Sequence, residues 1–267
     1  MSASATPGAH TAPGAHATPG AHATPGAGST PGAHWQSEEL AASFAERRRI
    51  LIPLLDVQED VLRRLLTRHE RPIARFLDLG CGAGAMSELL LSTLPGSEGV
   101  LVDFSEPMLA RAGVNLAGYA GRWQAITGDL NDPAWRDALP AGRYDAVVSG
   151  LAIHHLPPER KPALFAECLA LLQPGGMFVN MDYVAIDGPL RGLFDEQMLA
   201  NAVRAEGESG GSRSEREVDL EDDDDRPDTV ADQLQWLRDA GFEQVEVHFK
   251  WAEAAIFGGT RPEGASS

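Results

Sequence analysis

Phe76-Leu77-Asp78-Leu79-Gly80-Cys81-Gly82-Ala83-Gly84 is the stretch on which the fold turns. A mostly apolar run gives way to glycines at alternate positions, and a helical pattern follows. Glycine lets the chain turn with positive φ and lets the backbone come close to a ligand. The pattern predicts a strand over 73–79, a tight turn, and a helix over 83–93. Outward from it the same alternation recurs. Strands are expected over 99–103, 123–127, 144–149 and 177–184, with helices over 106–117, 158–172 and 190–204. A last helix over 230–240 precedes two closing strands, 242–249 and 251–257. Upstream, 38–49 and 54–69 read as amphipathic helices. Strand–helix alternation implies an α/β fold, a parallel sheet covered by helices on both faces. The final strand pair is close enough in sequence to be antiparallel. With 43% hydrophobic residues in 267, the chain can bury a sizeable core.

In such a sheet ligands sit beyond the carboxyl ends of the strands, at the switch point. The loop Gly80, Cys81, Gly82 and Gly84 is therefore the expected floor of a cofactor site. Alone it is ambiguous, because Gly80-x-Gly82-x-x-Ala85 also satisfies the relaxed dinucleotide fingerprint. Asp78 helps to decide. It lies two residues before the first glycine, and no Lys or Arg is in the loop. A carboxylate there repels a pyrophosphate and favours a cation, such as the amino group or sulfonium of S-adenosylmethionine (SAM).

Further along, Leu101-Val102-Asp103-Phe104-Ser105 ends the second strand. Asp103 can accept hydrogen bonds from both ribose hydroxyls, a feature that nicotinamide enzymes share. Ser105 reads as the N-cap of the next helix, with Glu106 and Pro107 in its first turn. Phe104 and Met108 can pack on an adenine face. Gly128-Asp129-Leu130 follows the third strand at the same edge of the sheet. Asp129 can accept from an exocyclic amine while a backbone N–H meets a ring nitrogen.

Taken in order, these segments resemble the class I SAM-dependent methyltransferases. The resemblance rests on 76–84, 101–103 and 128–130, on Tyr144-Asp145-Ala146-Val147-Val148-Ser149 with His154-His155-Leu156, on Leu172-Gln173-Pro174-Gly175-Gly176, and on the Leu-x-x-Ala-Gly-Phe of 237–242. It implies a Rossmann-like sheet of seven mostly parallel strands with the last antiparallel, and SAM lying across strands one to four. It places the backbone of Gly80 and Gly150 at the methionine end.

Methyl transfer from a sulfonium is an in-line displacement, to which the protein contributes position and electrostatics. Some acceptors also need a base. His154 and His155 follow the fourth strand, where an acceptor would meet the methyl group. His155 is the better base candidate, since its neutral form accepts a proton near neutral pH. His154, Asp182 and Tyr183 are candidates to line the acceptor pocket. The closing Ala-Gly-Phe hairpin, with its Phe-Lys-Trp segment, also somewhat resembles enzymes that make a carboxylated SAM for wobble-uridine modification. Those need a basic group for the extra carboxylate, and none is assigned here. A nicotinamide-dependent oxidoreductase and a SAM-binding module without turnover complete the alternatives.

The remainder sets limits. Residues 1–34 are a Thr-Pro-Gly-Ala-His type repeat with almost nothing to bury, expected to be disordered. Its histidines, His10, His16, His22 and His34, read as part of the repeat, and no metal site is expected. The methyltransferase domain is expected over 35–260 and a flexible C-terminus over 261–267. Residues 206–228 hold eleven acids and three bases and read as a solvated insert, with a mobile lid as the functional alternative. The net charge of -17 argues against an extensive nucleic-acid-binding face. No membrane-spanning run and no signal peptide are read. Two cysteines, Cys81 and Cys168, suit a reducing cytoplasm. A small-molecule acceptor is the expected partner.

Overall fold

The computed structural model describes residues 52–208 and 225–264. The repeat at 1–34, the helix expected over 38–49, most of the acidic insert and the last three residues lie outside the described residues. Among the described ones, the chain runs α1 (Leu55–Arg68), β1 (Arg75–Leu79), α2 (Ala85–Thr93), β2 (Glu98–Asp103), α3 (Glu106–Asn115), β3 (Trp123–Thr127), β4 (Tyr144–Gly150), α4 (Lys161–Leu171), β5 (Leu172–Tyr183), α5 (Leu193–Glu208), α6 (Val230–Ala240), β6 (Glu243–Trp251) and β7 (Ala254–Thr260).

The seven strands form one sheet in the order β3-β2-β1-β4-β5-β7-β6. β1 pairs in parallel with both β2 and β4, β3 and β5 extend the sheet in parallel, and β7 inserts antiparallel between β5 and β6. The expected α/β architecture is borne out. The order reverses between β1 and β4, so their carboxyl ends open a crevice at the glycine loop.

Side-chain alternation along the strands feeds two cores. Leu77, Leu79, Val147, Phe178 and Phe257 pack with Leu164, Phe165 and Cys168 of α4 and Leu237 of α6. Phe76, Leu101, Val148, Val179 and Ile256 pack on the other face with Leu62 and Leu66 of α1 and Leu89, Leu90 and Leu91 of α2. Truncating a fully buried leucine here, such as Leu77→Ala, costs about 2–5 kcal/mol.

Helix ends follow their capping chemistry. The Ser105 side chain accepts from the Met108 N–H at 3.2 Å and caps α3, as its sequence suggests. Thr229 caps α6 through the Asp232 N–H, and Gly241, at φ 103, ends that helix.

Three differences from the sequence expectations have local causes. α2 begins at Ala85 because Gly84, at φ 86, still belongs to the loop. β5 begins before Pro174-Gly175-Gly176, not after it. Tyr144 pairs with Leu172 and Ala146 with Met177, so the intervening residues bulge out of the ladder. The bulge is satisfied from elsewhere: Gly175 N–H donates to the Arg261 carbonyl at 2.9 Å, and Arg261 N–H returns to Gly176. Arg261 is 7% exposed, and its guanidinium donates to the carbonyls of Leu169, Ala170 and Leu172. The residue that begins the expected flexible terminus is thus anchored. Finally, β6 runs to Trp251, and the hairpin turns at Ala252 and Glu253. The Glu253 carboxylate reaches back to the N–H groups of Gly192 and Phe194 at the start of α5.

Candidate functional site

The crevice has two walls. The first is the glycine loop. Gly80, Gly82 and Gly84 all have positive φ, at 63, 51 and 86. A Cβ on Gly80 would lie 2.3 Å from the Cβ of Ala152, whereas a Cβ on Gly82 would meet nothing closer than the Met108 sulfur at 4.0 Å. Gly80 is needed for close packing of loop on loop, and Gly82 faces open space beside Met108.

The loop's amides turn inward. Gly82 N–H donates to Asp103 Oδ2 at 2.7 Å, Cys81 N–H to the Val102 carbonyl at 3.0 Å, and Gly84 N–H to the Cys81 carbonyl at 2.9 Å. A dinucleotide loop aims such groups at a pyrophosphate. Here they are spent on the protein, and the nearby side chains are acidic. Asp78 is fully buried and accepts from Ser87 Oγ at 2.6 Å. Asp103 also accepts from Ser105 N–H at 2.8 Å. Burial raises the Asp103 pKa against these backbone donors. The Cys81 thiol is pushed well up by burial and then by the Asp78 and Asp103 charges. The small turn, the open space at Gly82 and the negative potential fit SAM, a cation with a slim nucleoside.

Around this floor lie the other expected cofactor residues. Phe104 and Met108 stand at the start of α3, Met108 buried and Phe104 half-buried. Asp129 Oδ1 accepts from the Asn131 N–H at 2.9 Å, closing a local turn. The Leu130 side chain is core, not ligand wall. Its carbonyl accepts from Arg160 Nε at 2.8 Å, so any contact it makes with a ligand is through its backbone. Gly150 ends β4, with the Met86 methyl 3.0 Å from where its Cβ would be.

The second wall is the turn after β4. Leu151 takes φ 54, a left-handed conformation that costs a non-glycine residue about 1–2 kcal/mol. It delivers Ile153–His155 as a single 3-10 turn. His154 is 8% exposed. Its Nδ1 lies 2.6 Å from Asp182 Oδ1, and its backbone N–H donates to Asp182 Oδ2 at 3.1 Å. Asp182 also accepts from Asn180 and from the Tyr183 N–H. Four protein donors therefore surround this carboxylate. It acts on the pocket by orienting His154. The Tyr183 hydroxyl donates to Asp195 at 3.2 Å; burial first, then Asp195 and Glu253, raises its pKa.

Sequence reasoning missed Asp225. Its Oδ1 lies 3.3 Å from His154 Nε2 and 3.0 Å from His155 Nδ1. The end of the acidic insert is thus not simply solvated. Arg226 N–H donates to the His154 carbonyl at 3.0 Å, and the fully buried Lys161 ammonium holds the Arg226 carbonyl and the Asp228 carboxylate. Burial disfavours a charge on His154, but Asp182 and then Asp225 outweigh it and raise its pKa to about 10. Burial likewise opposes the Asp225 charge, and the two imidazoles overcome it and hold this carboxyl below its usual range. His154, His155 and Asp225 each offer a ligand atom within 4.8 Å of the others. A metal-capable group thus stands where none was expected. No local signal marked Asp225, which is seventy positions from His155 in an acidic run.

Known proteins carry matching features. The methyltransferase domain family matches residues 76–176. The carboxy-S-adenosyl-L-methionine synthase of Shewanella sp. (strain MR-7) is 30% identical over 188 residues, 68% of this chain and 74% of that protein. Among solved structures, a Methanococcus maripaludis chain described as a SAM-dependent methyltransferase aligns with a TM-score of 0.58 at 17% identity, covering 86% of this chain and 95% of that one. The apo SAM-dependent methyltransferase SibL aligns with a TM-score of 0.55 at 22% identity over 78% of this chain; this chain spans 55% of SibL. At such identities the structures speak for the fold alone.

Proposed function

The chain belongs to the class I SAM-dependent methyltransferases, and from that premise we propose that it moves the sulfonium methyl of SAM onto a small-molecule acceptor held beside His154 and His155. The supporting observation is the inward hydrogen bonding of the Cys81, Gly82 and Gly84 amides among buried carboxylates. That arrangement suits a cationic thioether and leaves those amides unavailable to a pyrophosphate. SAM supplies the electrophilic methyl group. The chain supplies position: Gly80, Gly82, Gly84 and the Gly150 backbone at the methionine end with Asp78 and Cys81 beneath, Asp103 at the ribose, and Phe104, Met108, Asp129 and the Leu130 backbone around the adenine. The Asp103 carboxylate keeps acceptor capacity for a ribose hydroxyl beyond the Gly82, Ser105 and Phe104 backbone donors it already accepts.

His155 is the proposed base. With Nδ1 against Asp225, its Nε2 is the atom to receive an acceptor proton. His154, tied to Asp182, and Tyr183, tied to Asp195, shape the pocket. Both cysteines are free and buried, which supports a reducing cytoplasm. No helix among the described residues is long and apolar enough to cross a membrane.

Incubating the full chain with methyl-labelled SAM and a cell extract, then separating metabolites, RNA and protein, tests the reading. Label is expected among the metabolites; label confined to RNA or protein refutes a small-molecule acceptor. The Shewanella relative favours a second reading, synthesis of carboxylated SAM. The carboxylates of Asp182, Asp195 and Asp225 near this wall weigh against holding a further carboxylate. Mass spectrometry of the co-purifying ligand separates the two, since SAM or its demethylated product differs in mass from carboxylated SAM.

A further inference from the structure

The geometry points to a divalent-cation site at the mouth of the second wall, made by His154 Nε2, His155 Nδ1 and an Asp225 carboxylate oxygen. Asp225 Oδ1 lies 3.3 and 3.0 Å from the two nitrogens, and all three atoms fall within 4.8 Å of one another. An ion bonded at ~2.1 Å to nitrogen and oxygen ligands separates neighbouring ligand atoms by about 3.0–3.4 Å. The two oxygen–nitrogen separations already have that spacing, and the two imidazole nitrogens, within 4.8 Å of each other, need at most a small ring rotation to share an ion. Its supports are also those of a metal site. Asp182 holds His154 Nδ1 at 2.6 Å, which fixes the ring and turns Nε2 outward, as carboxylates do behind metal-bound histidines. Buried Lys161 pins Arg226, the residue next to Asp225, and Asp228 two positions further on, so the third ligand is held from its own chain.

Two imidazoles and one carboxylate suit zinc or a similar borderline ion better than magnesium or calcium, which prefer oxygen. His155 and Asp225 keep side-chain exposures of 17% and 28%, so an ion would enter from solvent and keep open positions. Binding releases the imidazole protons shared with Asp225 to water. An acceptor hydroxyl could then occupy an open position and lose its proton to solvent through the ion, in place of His155. Only that last role rests on the methyl-transfer reading; the binding site itself does not.

The probe is cobalt(II) alone, added to chelator-treated full-length protein and followed by its visible d–d absorption. One equivalent is expected to give resolved bands that zinc abolishes. A variant with His10, His16, His22 and His34 all changed to Gln should keep the bands. Asp225→Asn and His155→Gln should each weaken that equivalent at least tenfold, with SAM affinity by calorimetry reporting that they are folded. If one variant fails to fold, the other carries the comparison. Bands that are absent, that persist unchanged in both site variants, or that vanish with the tail histidines (an adventitious ion only) overturn the site. Normal SAM binding in the same samples would then leave the methyl-transfer reading standing. Absent SAM binding with intact bands would sink that reading and keep the metal site.

Discussion

The two walls of the crevice are built in opposite ways. The glycine-loop wall is local: a strand end, a turn and a helix start, with Asp103 from the neighbouring strand reaching the Gly82 amide. The histidine wall is assembled from 154–155, 182 and 225, three places far apart in sequence, and its members are titratable side chains. The first wall is set by backbone conformation and excluded volume, the second by long-range charge pairing. The first should therefore fail sharply on small steric changes, and the second gradually on changes of charge or pH.

The steepest failure is expected at Gly80. Gly80→Val adds branches where even a Cβ would lie 2.3 Å from Ala152, at a φ of 63. SAM affinity should fall at least ~100-fold, about 2.7 kcal/mol, in a calorimetric titration. Retained affinity would mean that the loop is not the cofactor floor. Asp103→Asn keeps the shape and removes the charge. About tenfold weaker SAM binding, ~1.4 kcal/mol, is expected; an unchanged constant would remove the electrostatic argument from this wall.

Next comes a pH effect confined to the other wall. The folded His154 pKa is raised to about 10, above the unfolded value of ~6.5. Its pairing with Asp182 and Asp225 thus stabilises fully below about pH 6.5 and is lost as pH rises through about 10. In metal-free protein the melting temperature should decline over that window, and Asp182→Asn should flatten the decline. An equal slope in the variant would place the titrating group elsewhere. The smallest effect on cofactor is expected for Asp225→Asn, which should leave SAM affinity within about twofold, because none of its partners belongs to the glycine loop. A large loss would show that the two walls are coupled.

The same division explains what could be read from the sequence. Strand β3 and helix α6 fall where the pattern puts them, and the loop at 80–84, Asp103 and the Ser105 cap all stand in local order. The Pro174-Gly175-Gly176 bulge carries no local mark, because its hydrogen bonds go to Arg261, far along the chain. At a strand end Asp182 can either meet a ligand or satisfy its surroundings, and nothing local in the sequence sets His154 beside it. Asp225 was hidden among like charges. In sequence, an acid that pairs with two histidines is indistinguishable from its solvated neighbours, and only the Lys161 anchor gives it a fixed place.

Calorimetry of the purified chain against SAM, its demethylated product and NADH tests the central claim most directly. The account predicts saturable binding of the first two and none of the third. Binding of NADH, with SAM and its product ignored, would contradict it.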